Sequence, residues 1–151
     1  MTYGIYFDSA TPAEALRQAL HTVYGVPLEL VYVGPYDELN DYPGPDPVVL
    51  ITPVDGPFGH ELSGGDGLHE LTKASELELA RSICRVARTR ALVDDGSVAP
   101  DYWFLVAADG SSGRVQTDPD RDELTILYAL EPIAGAPELP VVPPPDWART
   151  W

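Results

Sequence analysis

The sequence predicts an α+β domain with a mainly antiparallel sheet of about five to six strands and two helices on one face. Short runs of β-favouring residues alternate with two amphipathic helical segments, in the order strand, helix, two strands, helix, three strands. The last three strands are separated by short turns, which is typical of an antiparallel meander. A length of 151 residues with 44% hydrophobic residues suffices for one domain with a real core.

The first half of the chain is predicted to form three strands and a helix. Residues 3–7 form the first strand, and residues 11–14 read Thr-Pro-Ala-Glu, which combines a capping threonine, a first-turn proline and a capping-box glutamate. Gly25 is expected to end this helix in a left-handed turn. The second strand, residues 28–33, is apolar on both faces and is expected to be central, and residues 48–52 form the third.

Loops and a second helix occupy the middle of the chain. Proline or glycine is frequent in residues 34–47 and 55–67, which are therefore predicted to be loops. Residues 75–78 read Ser-Glu-Leu-Glu, a capping box that predicts a helix from there to about Arg90. The meander follows as three strands, at residues 102–107, 114–117 and 124–130.

The C-terminal segment differs in composition from the rest of the chain. Six prolines fall between residues 132 and 145, which favours an extended chain over a packed element. We therefore predict a single domain over residues 1–131 and a proline-rich tail over residues 132–151. Trp147 and Trp151 are the residues expected to pin this tail to the domain.

Composition also restricts the cellular setting. No apolar run approaches the ~20 residues of a membrane helix, and residues 1–5 lack the basic and apolar regions of a signal peptide. The single cysteine, Cys84, excludes an internal disulfide and a thiolate zinc cluster. These features predict a cytoplasmic protein.

The distribution of charge is the most informative functional feature. The formal net charge is -15, and residues 18–72 contain no lysine or arginine. Such a surface repels nucleic acid and anionic membranes and attracts basic partners, so the predicted partner is a basic protein. A coding bias that favours aspartate over lysine is the alternative explanation of the acidity. The same stretch carries nine carboxylates, namely Glu29, Asp37, Glu38, Asp41, Asp46, Asp55, Glu61, Asp66 and Glu70.

Residues 32–42 combine three tyrosines with three carboxylates at the end of a predicted strand. Interfaces favour tyrosine because it gives a large contact area at a small entropic cost, and nearby carboxylates steer a basic partner. The alternative is that Tyr32 belongs to the core while Tyr36 and Tyr42 merely cover loop edges. The predicted partner-binding residues are the last two tyrosines, the three carboxylates and two residues of the next predicted loop, namely Tyr36, Asp37, Glu38, Asp41, Tyr42, Asp55 and Asp66.

Motifs of catalysis and metal binding are missing from the sequence. His60 and His69 each precede a glutamate, but neither has the second histidine that a zinc protease needs one helical turn later. A looser metal site from His60, Asp66 and His69 is conceivable, although two solvated histidines are the simpler interpretation. Cys84 lies on the apolar stripe of its helix and is expected to be a buried structural thiol. We therefore predict no catalytic residue, no metal ligand and no cofactor.

One local group of cations stands out against the overall acidity. Arg81, Arg85 and Arg88 recur at spacings of four and three residues, so they share a helix face. This face is either a solvated flank or an anchor for an acidic patch on a partner or on a second copy.

In size, single-domain organisation and acidity, the chain resembles the immunity proteins of bacterial polymorphic toxin systems. The resemblance covers general character over the whole chain and no diagnostic motif. It implies a cytoplasmic protein that shields the active site of a basic toxin with its acidic loops. Two other hypotheses stay open: a small hydrolase that depends on a metal or on carboxylates, and a structural module, such as a homodimer through a sheet edge or an acidic mimic of nucleic acid.

Overall fold

The computed structural model describes residues 2–96 and 101–145, and these form an α+β fold around one mixed sheet of eight strands. The strands lie in the order β2-β3-β4-β1-β5-β6-β7-β8, and each neighbouring pair is antiparallel except β2 and β3, which are parallel. Their bounds are β1 Tyr3–Phe7, β2 Val31–Val33, β3 Val49–Pro53, β4 His60–Gly64, β5 Ala91–Asp94, β6 Tyr102–Val106, β7 Ser112–Thr117 and β8 Ile126–Ala129.

Three α-helices and two 3₁₀ segments accompany the sheet within the described residues. The helices are α1 Ala13–Tyr24, α2 Asp66–Thr72 and α3 Glu76–Ala87, and the 3₁₀ segments are Leu28–Leu30 and Tyr36–Asp41. No helix in the described ranges combines the length and the apolar character required to cross a bilayer.

The α+β class is confirmed, but the predicted numbers of strands and helices were too low and the sheet is mixed. Strand β4 and the start of helix α2 lie where a loop was predicted at residues 55–67, and β5 was missed. The predicted central position of the strand at residues 28–33 is wrong, because residues 28–30 form a 3₁₀ segment and the short β2 lies at the edge of the sheet. In β4 only Leu62 is fully buried, so the segment lacks the apolar alternation of an obvious strand. Its pairing with β1 on one side and β3 on the other overrides this weak local preference.

Helices α1 and α3 pack against each other and against one face of the sheet. The capping box at the start of α3 is present as predicted, because the Ser75 side chain accepts from the Glu78 amide and Glu78 reaches back to the Ser75 amide. The capping role predicted for Thr11 is wrong, since its hydroxyl donates to Thr89 Oγ1 at 2.7 Å. The core on this face includes Ile5, Phe7, Leu16, Leu20, Ile51, Leu62, Leu79 and Ile83.

The opposite face of the sheet carries a smaller core, and no α-helix of the described residues packs on it. Loops and the segment after β8 cover it, and Ile133 and Ala136 from that segment are buried there. Ala129 in β8 accepts a hydrogen bond from the Val142 amide at 2.8 Å and donates one to the Pro140 carbonyl at 2.8 Å. Residues 132–145 therefore pack on the sheet, while the domain boundary at residue 131 stays a prediction. Trp147 and Trp151, the expected pins of the tail, lie outside the described residues.

Candidate functional site

The tyrosine–acid loop, residues 36–42, is the first candidate site and follows the edge strand β2. Gly34 turns the chain with a φ of 150°, and its amide donates to the Ile51 carbonyl at 3.1 Å. Pro35 then leads into the 3₁₀ segment Tyr36–Asp41, where a plain loop was predicted. Tyr36 is 69% exposed on this segment. Its neighbours Asp37, Glu38 and Asp41 are exposed as well.

Two of the three tyrosines hold the tyrosine–acid loop in place. The buried Tyr32 donates its hydroxyl hydrogen to the Pro35 carbonyl at 2.6 Å, and its ring meets the Tyr42 ring edge to face at 5.5 Å. The half-buried Tyr42 donates to the Glu29 carbonyl at 2.5 Å. Tyr36 is therefore the one tyrosine of the three that is free to present its ring to a partner.

The carboxylates of the tyrosine–acid loop form a local concentration of negative charge. Burial, followed by the charges of Glu38, Asp37 and Asp41, raises the pKa of the Tyr32 hydroxyl. The ion pairs found within the described residues use the carboxylates of other segments, at Glu14, Asp118 and Glu138. No cation in the described part of the chain thus neutralises this loop.

The acidic cleft is a second candidate site that the sequence did not reveal. It is a cavity of about 410 Å³ on the face of the sheet opposite α1 and α3. Tyr6 and Trp103 lie in its wall with their rings edge to face at 5.8 Å. In the described part of the chain, its other lining residues include no lysine or arginine and comprise Val54, Asp55, Phe58, Asp122, Glu123 and Leu124.

Two neighbouring loops, β3–β4 and β7–β8, form part of the acidic cleft. Gly56 in the β3–β4 loop has a φ of 106°, and a Cβ at this position would collide with the side chain of Glu123 in the β7–β8 loop. The β3–β4 loop is fixed to the chain that follows β1, because Ser9 Oγ donates to the Gly56 carbonyl at 2.5 Å. Burial, followed by the neighbouring Glu61 carboxylate, raises the pKa of the Tyr6 hydroxyl. The surroundings of Tyr6 therefore disfavour additional negative charge.

The structure divides the predicted partner-binding residues between separate places. The residues from Tyr36 to Tyr42 stay together, whereas Asp55 lines the acidic cleft. Asp66 begins α2 at the other end of β4, and a strand of five residues spans about 17 Å.

The tyrosine–acid loop and the acidic cleft nevertheless lie on the same face of the sheet. Leu39 from the loop lines a shallow pocket together with Leu50 and Ser63. Those two residues alternate with the buried Ile51 and Leu62, so their side chains point away from the helices. The helix-free face therefore carries both acidic regions.

Alternation along the strands could have pointed to part of the acidic cleft. Tyr6 lies between Ile5 and Phe7, and Trp103 precedes Phe104; these three neighbours belong to the helical core or pack against it. Because side chains alternate along a strand, both rings are expected on the opposite face. Nothing in the sequence indicates that Asp122 and Glu123 come to lie beside them, because that contact depends on the packing of two loops.

The residues considered for a metal site or for nucleophilic catalysis are far apart or buried. His60 pairs with Phe7 at one end of β1, whereas His69 Nδ1 lies 3.0 Å from Tyr3 Oη at the other end of β1. No group of three or more metal-ligating side chains occurs within residues 2–96 and 101–145. Burial raises the pKa of the Cys84 thiol to about 12, which makes it a poor nucleophile.

Comparison with known proteins gave no match. No family model, no curated protein and no solved structure matches this chain.

Proposed function

We propose that this protein binds and neutralises a basic protein partner in the cytoplasm, as an immunity protein neutralises a secreted bacterial toxin. The observation that carries the proposal is the exposure of Asp37, Glu38 and Asp41 beside Tyr36, with no compensating cation among the described residues. The cost of desolvating such a loop is offset when a partner supplies the missing positive charges.

The anchoring of the loop supports a docking role. Because Tyr32 and Tyr42 fix the backbone on both sides of the 3₁₀ segment, little conformational entropy is lost when a partner binds. Tyr36 then supplies a large contact surface that needs few rotamers to be frozen. A preorganised acidic loop of this kind favours fast and specific association with a basic surface.

The acidic cleft supports the same proposal because it suits a lysine or arginine side chain of the partner. Asp55, Asp122 and Glu123 supply negative charge, and the rings of Tyr6 and Trp103 supply a surface for a cation–π contact. The cleft lies on the same face as the tyrosine–acid loop, so one basic partner could engage both.

The deciding experiment pairs the protein with the basic C-terminal domain of a secreted protein that is encoded beside its gene. We expect a complex in vitro and restored growth in cells that express that domain. Replacing the loop carboxylates together, as Asp37→Asn, Glu38→Gln and Asp41→Asn, should slow association about tenfold to a hundredfold at low ionic strength. The loss should shrink as salt is added, because salt screens exposed charges.

A matched control removes the same number of charges from the helices, as Glu14→Gln, Glu70→Gln and Glu78→Gln. All three glutamates are exposed. This control should associate nearly as fast as the wild type, since its changes lie away from the docking face. Absence of a complex, a complex without protection of the cells, or equal slowing in both variants would contradict the proposal.

A further inference from the structure

A basic pocket interrupts the acidic surface of the protein beside α3. It is a cavity of about 460 Å³, and three of the nine lysines and arginines in the chain line it, namely Lys73, Arg81 and Arg85. Glu78 is the one carboxylate among its lining residues in the described part of the chain. The Glu78 carboxylate is already engaged, because it accepts a hydrogen bond from the Ser75 amide in the capping box.

The two arginines of the basic pocket are held in position by the β6–β7 turn and by the first residue of β7. Arg81 Nη2 donates to Ser112 Oγ at 2.9 Å, and Arg85 Nε donates to the Asp109 carbonyl at 3.4 Å. Gly110 leaves room for the Arg85 guanidinium, since a Cβ at that position would overlap it. Both guanidinium groups are therefore preorganised, which lowers the entropic cost of binding a ligand.

Arg81 also has an unsatisfied donor. Its Nε is buried from solvent and has no acceptor within the described residues. A buried N–H without an acceptor is destabilising and is usually explained by a water or an ion at the site. Arg81 also lines the cavity, so an anion that enters it can bind the other N–H groups of the same guanidinium.

The charge of the lining selects the class of ligand. Among the lining residues, three cations against one carboxylate leave two positive charges in excess. The Asp109 carboxylate outside this lining interacts with Arg85, but it already accepts hydrogen bonds from the Ser111 amide and hydroxyl. Arginine forks match the oxygens of phosphate, and a lysine adds a point charge. A dianion balances the excess, whereas a monoanion such as acetate leaves half of it uncompensated.

We infer that the basic pocket binds a doubly charged oxyanion, namely inorganic phosphate or the phosphate group of a small phosphorylated molecule. Arg81 and Arg85 donate to the phosphate oxygens, and Lys73 supplies the third positive charge. This site is separate from the tyrosine–acid loop and the acidic cleft, and it does not depend on the proposed function.

The test is a calorimetric titration of the full chain with inorganic phosphate at about pH 8, where the dianion predominates. Ionic strength is held constant with chloride, and acetate is titrated in parallel. Saturable heat with phosphate is expected, together with affinity for acetate that is at least tenfold weaker. A second titration with a phosphorylated sugar, compared with the same sugar without phosphate, distinguishes a free ion from a phosphorylated metabolite.

Two variants and one control make the titration specific to the pocket. Lys73 has a φ of 55°, so Lys73→Gly removes the charge while keeping a backbone conformation that glycine adopts readily. This variant and Arg85→Gln should each bind phosphate about tenfold more weakly or worse, as expected for losing a charged contact. Arg121→Gln removes a cation from the β7–β8 loop and should bind like the wild type.

Three results would overturn the inference. They are the absence of saturable phosphate binding by the wild type, unchanged affinity in both pocket variants, and an equal loss in the Arg121→Gln control. A rise in melting temperature with phosphate should accompany binding in the wild type and be smaller in Lys73→Gly at the same phosphate concentration. That readout also shows whether each variant is folded.

Discussion

The ring of Tyr42 stands edge-on against the ring of Tyr32, with centroids 5.5 Å apart and planes inclined at 73°. Gly44 lies so close to Tyr42 that a Cβ there would be 2.7 Å from its ring atoms. The path of the chain out of the tyrosine–acid loop is thus fixed by the packing of Tyr42, which does not depend on the charges of the loop.

Substitution of Tyr42 should separate its packing from its hydrogen bond. Tyr42→Phe removes the bond to the Glu29 carbonyl and should lower the free energy of unfolding by about 1 kcal/mol. Tyr42→Ala also removes a half-buried ring and should cost roughly 2 kcal/mol. Urea denaturation followed by circular dichroism measures both values. Equal stability of the alanine variant and the wild type would show that the ring does not support the fold.

Glu76 should make the protein less stable at neutral pH than its glutamine variant. Burial raises the pKa of Glu76 above its usual value, even though the Gly4 amide donates to its carboxylate at 2.8 Å. The stability that protonated Glu76 contributes is therefore fully present below the unfolded-state pKa of this group. It is lost as pH rises through the higher folded-state pKa. Glu76→Gln keeps an acceptor for Gly4 and stays neutral. Its free energy of unfolding should exceed that of the wild type at pH 7 but not at about pH 3.

Gly56→Ala should loosen the wall of the acidic cleft. The new Cβ meets the Glu123 side chain, and the φ of 106° is unfavourable for alanine, so we expect a loss of about 2 kcal/mol. Gly25→Ala is the matched control, because its φ is also positive but no atom of the described residues lies within 4 Å of the added Cβ. The control should lose less stability in the same urea titration. Identical losses would mean that contact with Glu123 contributes nothing.

The thiol of Cys84 should react with an alkylating reagent only after unfolding. A pKa of about 12 leaves very little thiolate at pH 8, and the side chain is fully buried. Alkylation should therefore be at least a thousandfold slower in buffer than in strong denaturant. Because the chain has one cysteine, mass spectrometry reports this site without ambiguity. Fast labelling of the folded protein would contradict the assignment of Cys84 as a structural residue.

Removal of residues 132–151 should severely destabilise the protein. The segment buries Ile133 and Ala136 in the second core and bonds to both backbone groups of Ala129. Ile133→Ala alone should cost about 2–4 kcal/mol, whereas Val142→Ala, at a position that is 45% exposed, should cost little. A truncated chain as stable as the full one would instead support the boundary at residue 131.

Local signals in the sequence were sufficient to place several elements. The capping box at Ser75 and the left-handed Gly25 each depend on a few adjacent residues, and both occur as predicted. Helix α3 ends at Ala87, slightly before the predicted end, because Arg88 adopts a left-handed conformation that the sequence does not signal.

Elements whose stability comes from distant pairing were missed. Strand β4 is held between β1 and β3, and its own residues give little indication of a strand. The candidate site divides in the same way. Tyr36 to Tyr42 are contiguous, so their grouping could be predicted, whereas Asp55 meets Trp103 and Glu123 only through the fold. Contacts between residues that lie far apart in the chain cannot be recognised from a single sequence.

The hydrogen bonds of Ala129 with Pro140 and Val142 have a consequence for self-association. They occupy backbone groups that would otherwise be open to an incoming strand, so the β8 edge is protected at that point against edge-to-edge aggregation. At the opposite edge, β2 is three residues long and leads directly into the tyrosine–acid loop. Two copies meeting along β2 would bring two strongly negative loops together, and their mutual repulsion guards the second edge.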